Sequence, residues 1–248
     1  MSHAPAPSTG WKEQIAPDEA QRYAGYARQF AEIQARKSAR WGPGRTLHRK
    51  QLCAAQGTLE VLDGLPEFAR HGLFARPHDY DVWVRLSNGG LDRAPDKVPD
   101  IRGFALRVFG VEGESALGNG PAKSQDFTLI NQEVFAFSGS AEFVDFVVAA
   151  SRGNVNLIKY LFKRYGLLGG PRQLGKMIKA ASKAFSGFAT EPLFSTLPMA
   201  NGPYAARVRL VPAASNGSAT PGASADWSAD FAARLAKQPL HWDMQLQF

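Results

Sequence analysis

Apolar positions first recur at helical spacing in Tyr23, Tyr26, Ala27, Phe30 and Ile33. Pro17-Asp18-Glu19 opens this stretch with a proline and acids in the first turn, and Trp41-Gly42-Pro43-Gly44 closes it. Residues 17–44 therefore read as an N-terminal helical arm, preceded by a flexible tail over 1–16 rich in Pro, Ala and Ser. Beyond Arg45 the period shortens to two. Leu59-Glu60-Val61, Asp81 to Leu86, Phe104 to Val111 and Phe127 to Ile130 are short β-type runs separated by Gly, Pro and Asp clusters. A helical turn interrupts them near Pro66 to His71. Strands at this spacing predict an antiparallel barrel or sandwich.

Helical texture returns over 141–186, with breaks near Gly153 and from Gly166 to Pro171. A strand from Tyr204 to Val211, a Ser/Gly/Ala-rich loop over 213–225 and a short helix from about Ser228 to Lys237 follow. In the last segment Leu240, Trp242, Met244, Leu246 and Phe248 alternate with His241, Asp243, Gln245 and Gln247, the pattern of a half-buried strand. Ending on an apolar residue of such a strand predicts a domain, 45–248, that is incomplete at its C-terminus.

The length of 248 residues suits one large domain. No run approaches the ~20 apolar residues of a membrane span, and the N-terminus lacks the basic flank and apolar stretch of a signal peptide. Cys53, the single cysteine, excludes an internal disulfide and suits a cytoplasmic protein. The net charge of +7 is concentrated. Between Phe146 and Thr190 lie eight basic residues (Arg152, Lys159, Lys163, Arg164, Arg172, Lys176, Lys179, Lys183) and no acidic one. Such a segment is either a pair of helices with solvated basic faces or an invitation to an anionic partner. Without an aromatic platform or a nucleic-acid motif, nucleic acid is the weaker candidate.

Taken singly, His48, Ser87 and Asn131 are uninformative. Arg85 differs, because it sits among Val82, Val84 and Leu86 and needs an anionic partner if buried. Asp100 and Asp126 are candidates.

The residues gain meaning together. Arg45-x-x-His48-x-Lys50, Val84-Arg85-Leu86-Ser87, Asp100-x-Arg102-Gly103-Phe104-Ala105 and Asn131 at the end of an apolar strand fall in one order along the chain. In these stretches, from about Arg45 to Phe146, the sequence resembles the catalase superfamily and in particular its short bacterial members. The resemblance implies an α+β fold: a catalase-type antiparallel β-barrel with an N-terminal helical arm and accessory helices. It also implies haem b. His48 would be the general base and acid, Ser87 its orienting partner and Asn131 a donor to peroxide; Arg45 and Arg85 would bind the propionates, and Phe143 would stack on the ring. A propionate is thus a third possible partner for Arg85. Two departures stand out. Leu86 occupies a position where full catalases usually carry phenylalanine, and Arg49-Lys50-Gln51-Leu52-Cys53 replaces a small, glycine-rich run.

The family's iron ligand is a tyrosine four residues after an arginine, downstream of the distal asparagine. Here that spacing occurs only at Arg22–Tyr26 and Arg76–Tyr80, both upstream of Asn131. No metal-ligating residue is assigned. Three functions follow as expectations. The first is a haem-dependent oxidoreductase handling hydrogen peroxide or an organic hydroperoxide, with homo-oligomers possible. The second is a non-catalytic catalase-like fragment or small-molecule-binding barrel using the same arginines. The third is an interaction protein working through the basic helices over 152–183.

Overall fold

A computed structural model describes residues 7–116, 118 and 120–248. The first six residues of the expected tail lie outside this set. Residues 7–18 contain no helix or strand, and Trp11 Nε1 donates to the Pro203 carbonyl at 2.8 Å. Helix α1 (Glu19–Trp41) follows and buries Ile33.

The antiparallel sheet comprises β1 (Lys50–Val61), β2 (His78–Asn88), β3 (Arg102–Phe109), β4 (Ser124–Ile130), β5 (Leu193–Phe194), β6 (Met199–Asn201), β7 (Tyr204–Pro212) and β8 (Trp242–Gln247). Its order is β1-β2-β3-β4-β5-β7, with β6 and β8 also paired to β7. Between β4 and β5 run α2 (Ser140–Ser151) and α3 (Asn154–Ala181), and α4 (Trp227–Leu235) precedes β8. The breaks expected in the helical stretch are real. Gly153 has φ 102°, and Gly166 interrupts α3 with φ 75°.

Alternation of side chains divides β2, β3 and β4 into two faces. Val82, Leu86, Phe104, Leu106, Val108, Phe127 and Leu129 point into the core, where they meet Leu193, Val208 and Leu210. The opposite face carries Arg85 and Ser87 on β2, Gly103 and Ala105 on β3, and Asp126 and Thr128 on β4. Trp242, Met244 and Leu246 pack partly buried on the core while Asp243, Gln245 and Gln247 are exposed, so β8 keeps the alternation read from its sequence.

The expected barrel does not close. Among the described residues, strand β1 pairs only with β2 and β8 only with β7. Helix α4 reaches β1 instead, where Ser228 Oγ donates to the Leu52 carbonyl at 2.6 Å. Its Phe231 ring lies 6.3 Å from Trp242, and Phe104 packs on the same indole at 5.6 Å. Apolar burial is thus completed by a helix and leaves the outer edges of β1 and β8 without a strand partner.

Candidate functional site

His48 stands two residues before β1, on a loop pinned from behind. Buried Arg49 donates through Nη1 to the Arg45 carbonyl at 2.6 Å, and through Nη2 to Ser38 Oγ at 2.9 Å and the Gly42 carbonyl at 2.6 Å. The His48 amide donates to the Gly89 carbonyl at 3.0 Å, with φ 51°. A non-glycine residue in this region is under local strain and is held there by its surroundings.

The surroundings are a row across the sheet. Gln51 pairs with Ser87, Ser87 with Gly103, and Gly103 with Ile130, one residue before Asn131. His48 Nδ1 lies 3.0 Å from Ser87 Oγ. Gly103 makes this contact possible. A Cβ at that position would come within 2.5 Å of His48 Cε1 and Nδ1 and 2.9 Å of Ser87 Oγ. The imidazole therefore lies on bare backbone. Gly103 is a functional position that the motif contains but local sequence does not reveal; its one signal was a glycine inside a strand.

Asn131 is buried and fixed through its oxygen. Its Oδ1 accepts from the Arg102 amide at 2.9 Å, its own amide donates to the Arg102 carbonyl at 3.1 Å, and Lys183 Nζ donates to its carbonyl at 3.1 Å. Its Nδ2 makes no hydrogen bond among the described residues, so a donor is left over. The Arg102 guanidinium is anchored in turn, to Asn88 Oδ1 at 2.5 Å and to the carbonyls of Asp96 and Val98 at 2.8 and 3.1 Å. Asp96 gathers Lys50 Nζ at 2.5 Å, Asn88 Nδ2 at 2.7 Å and the Trp227 amide at 2.8 Å. Burial opposes its ionisation, but these donors outweigh burial and hold its pKa below the usual range. This network fastens the strand ends that carry the row.

Electrostatics set the state of the histidine. Burial first, then the charges of Arg85 and Arg45, lower the His48 pKa to about 4. The ring is neutral at neutral pH. Arg85 has its own pKa lowered by burial and by Arg45. Neither aspartate put forward from the sequence neutralises it. Asp100 accepts from the Gly90 and Ile101 amides at 2.9 and 2.8 Å, and burial raises its pKa. Asp126 forms a two-pronged pair with exposed Arg107, both contacts at 2.6 Å. Among the described residues, Arg85 Nη1 remains buried without a partner. Arg45 is exposed and near enough for its charge to act on His48, Arg85 and Asp126.

Phe143 is held in an aromatic cluster. On α2 its ring lies 5.3 Å from Phe137, 5.5 Å from Phe135 and 6.4 Å from Phe30, in an aromatic cluster between the helices and the arm. No ring contact joins it to His48 among the described residues. The structure thus brings His48, Ser87, Arg85 and Arg45 together, sets Asn131 at the end of the same row, and places Phe143 against Phe30, whose carbonyl accepts from Thr46 Oγ1 in the loop before His48.

The tyrosines are engaged in other ways. Tyr80 and Tyr160 donate to the Leu73 and Glu142 carbonyls at 3.4 and 3.3 Å, and Tyr165 donates to the Glu142 carboxylate. Tyr204 packs on Phe68 and Phe248, and Tyr23 and Tyr26 pack on each other.

This arrangement of sheet, helices and polar row defines a catalase-like fold. The chain is similar throughout its length to a fungal catalase structure determined at 1.9 Å, with TM-score 0.60 and 16% identity, covering 50% of that chain. It is similar to a bacterial catalase structure to the same extent, with TM-score 0.61, 16% identity and 48% of that chain covered. It spans about half the length of these catalases. At this identity the likeness concerns the fold. No family model matches the sequence, and no curated protein matches it.

Proposed function

We propose that this protein is a haem-dependent oxidoreductase that handles hydrogen peroxide or an organic hydroperoxide, of catalase or peroxidase type. The observation that carries this reading is a pair of arginines without a carboxylate partner, one with a buried unbonded nitrogen, beside a histidine held neutral.

A haem is the group the fold implies, and the residues of the polar row fit its distal side. Arg45 and Arg85 would hold the propionates, since a planar guanidinium answers a carboxylate with two parallel hydrogen bonds. The Arg85 Nη1 orphan is the demand such a carboxylate meets. His48, seated on Gly103, would supply the acid–base group beside it. None of the tyrosine contacts described above assigns an axial ligand. When bound, haem supplies the iron at which a peroxide O–O bond can be broken.

The chain's own residues manage the proton. If Nδ1–H donates to Ser87 Oγ, the Nε2 lone pair is left free. Neutral His48 can then take a proton from one peroxide oxygen and return it to the other, as general base and then general acid. Asn131 Nδ2 can donate to the peroxide, because Arg102 holds its Oδ1. Ser87 and Arg102 act as positioning residues. A cytoplasmic setting and homo-oligomer formation belong to the same proposal, to be tested by cell fractionation and light scattering.

The test is an absorption titration with haemin, followed by peroxide turnover. A stoichiometric Soret band that weakens in Arg85→Ala, with turnover lost but haem retained in His48→Ala, is the expected result. Unchanged turnover in His48→Ala would sink the mechanism.

A second reading draws on the same orphaned guanidinium nitrogen. The same arginines could bind a small carboxylate ligand on the open sheet face with no haem. Absence of a specific band from folded protein, with carboxylate binding lost in Arg85→Ala, would favour it.

A further inference from the structure

Helix α3 has no part in the chemistry above, yet it holds the strongest charge asymmetry in the molecule. From Phe146 to Thr190 the eight cations meet no acidic residue, and all eight are exposed. None of them is in an ion pair among the described residues. Apolar side chains stand exposed on the same helix: Val155, Ile158 and Phe162 before the Gly166 break, Leu167 and Leu168 at it, and Ile178 beyond. Leu168 is 91% and Leu167 82% exposed, values expected of a lysine rather than a leucine.

We propose that α3 docks this protein on an anionic lipid bilayer, with Leu167 and Leu168 entering the headgroup region and the surrounding Lys and Arg side chains lying on the surface. Before the break, Val155, Ile158 and Phe162 recur at i, i+3 and i+7, and Lys159 and Lys163 form a neighbouring row. An apolar stripe beside a basic row is how a helix lies in a membrane interface. The break at Gly166 brings two leucines to the outside of the bend, flanked by Lys163, Arg164 and Arg172. Between α2 and α3 a cleft of about 460 Å³ is lined by Arg152, Lys163 and Arg164, with Asn156, Tyr160 and a single acid, Asp145, and has the chemistry to take a headgroup phosphate.

The occupant follows from charge and apolarity together. A second copy of this helix would bring its six cations against six. Nucleic acid would answer the cations but leave the leucines in water. A bilayer bearing anionic headgroups answers both.

The test is flotation of the full chain with phosphatidylcholine vesicles, with and without phosphatidylglycerol, over a salt series. The expected result is binding to the anionic vesicles alone, weakening as salt rises. Leu167→Ser with Leu168→Ser should weaken binding about tenfold or more. Lys176→Gln with Lys179→Gln should weaken it by about fivefold for each charge removed. Both variants alter exposed side chains, and each should keep the far-UV circular dichroism of the parent. No binding to anionic vesicles at low salt, or equal binding to neutral ones, overturns the proposal. So does salt-sensitive binding to duplex DNA in preference to vesicles that the leucine change leaves intact. Dimers that dissociate on the leucine change would likewise assign the face to a second copy.

Discussion

The two faces of β2, β3 and β4 share every backbone hydrogen bond and differ in almost everything else. On the core face, Leu86, Phe104 and Phe127 are packed among apolar side chains, and the buried groups without a partner there are two neutral indole N–H groups, of Trp227 and Trp242. On the other face, two like charges stand near each other, one guanidinium nitrogen is buried without a partner, and His48 is held at a strained φ on bare glycine backbone. One sheet therefore separates the task of staying folded from the task of presenting reactive groups. Conformational cost and the candidate site lie together on one side, apolar packing on the other.

The separation can be broken first on the core side. Leu86→Ala should cost about 3 kcal/mol in urea unfolding, the usual consequence of a cavity at a fully buried site. A cost below about 1 kcal/mol would mean that this face is not the stabilising one.

Gly103→Ala acts on the other face through the same strand. The added methyl group collides with His48 and Ser87, so a loss of about 2 kcal/mol is expected, with the histidine displaced. Removing the histidine side chain as well, in His48→Ala/Gly103→Ala, should recover most of that loss. An additive double variant would argue against the contact.

A third prediction concerns pH. His48 has a pKa of about 4 in the folded protein against 6.5 for a free imidazole, so the unfolded chain binds more protons between these values. Stability from this residue is complete above pH 6.5 and is lost as pH falls towards 4. The loss should be about 1–2 kcal/mol, allowing for solvent near a half-open site. His48→Gln should flatten the difference, measured as the urea midpoint across that window. Parallel curves for the two proteins would refute the assignment.

The smallest effect expected is of opposite sign. Arg85→Met removes an unpaired buried nitrogen and the repulsion from Arg45, so the ligand-free protein should gain up to about 1 kcal/mol. Its affinity for haemin or a carboxylate ligand should fall in the same variant. A destabilised Arg85→Met protein would show that this arginine is structural.

Much of this organisation is legible in the sequence because it is local. Val82, Val84 and Val108 announce strands by composition, and β8 does so by strict alternation. The first strand announces itself less well. Only Leu59 to Val61 read as strand, whereas β1 begins at Lys50 and runs through Gln51-Leu52-Cys53-Ala54-Ala55-Gln56-Gly57, a stretch with little intrinsic β preference that is defined by pairing with β2. Closure of the sheet is not legible for a related reason. Whether two edge strands meet depends on what else reaches the seam, and α4 reaches it first. At the site, the motif residues His48, Ser87 and Asn131 stood out as a set. The role of Gly103 did not, since it arises from register across three strands. That Arg85 lacks a carboxylate partner is equally hidden, because it requires knowing that Asp100 and Asp126 are both taken by other donors.

The seat beneath His48 also constrains how this gene can change. Any single-base change in a glycine codon that alters the protein either adds a Cβ or stops the chain. Each such step at position 103 meets the imidazole at once, so no gradual path leads away from glycine while the histidine is present. The two positions are ordered in descent: a lineage can lose His48 and later let Gly103 drift, but the reverse order passes through a damaged protein.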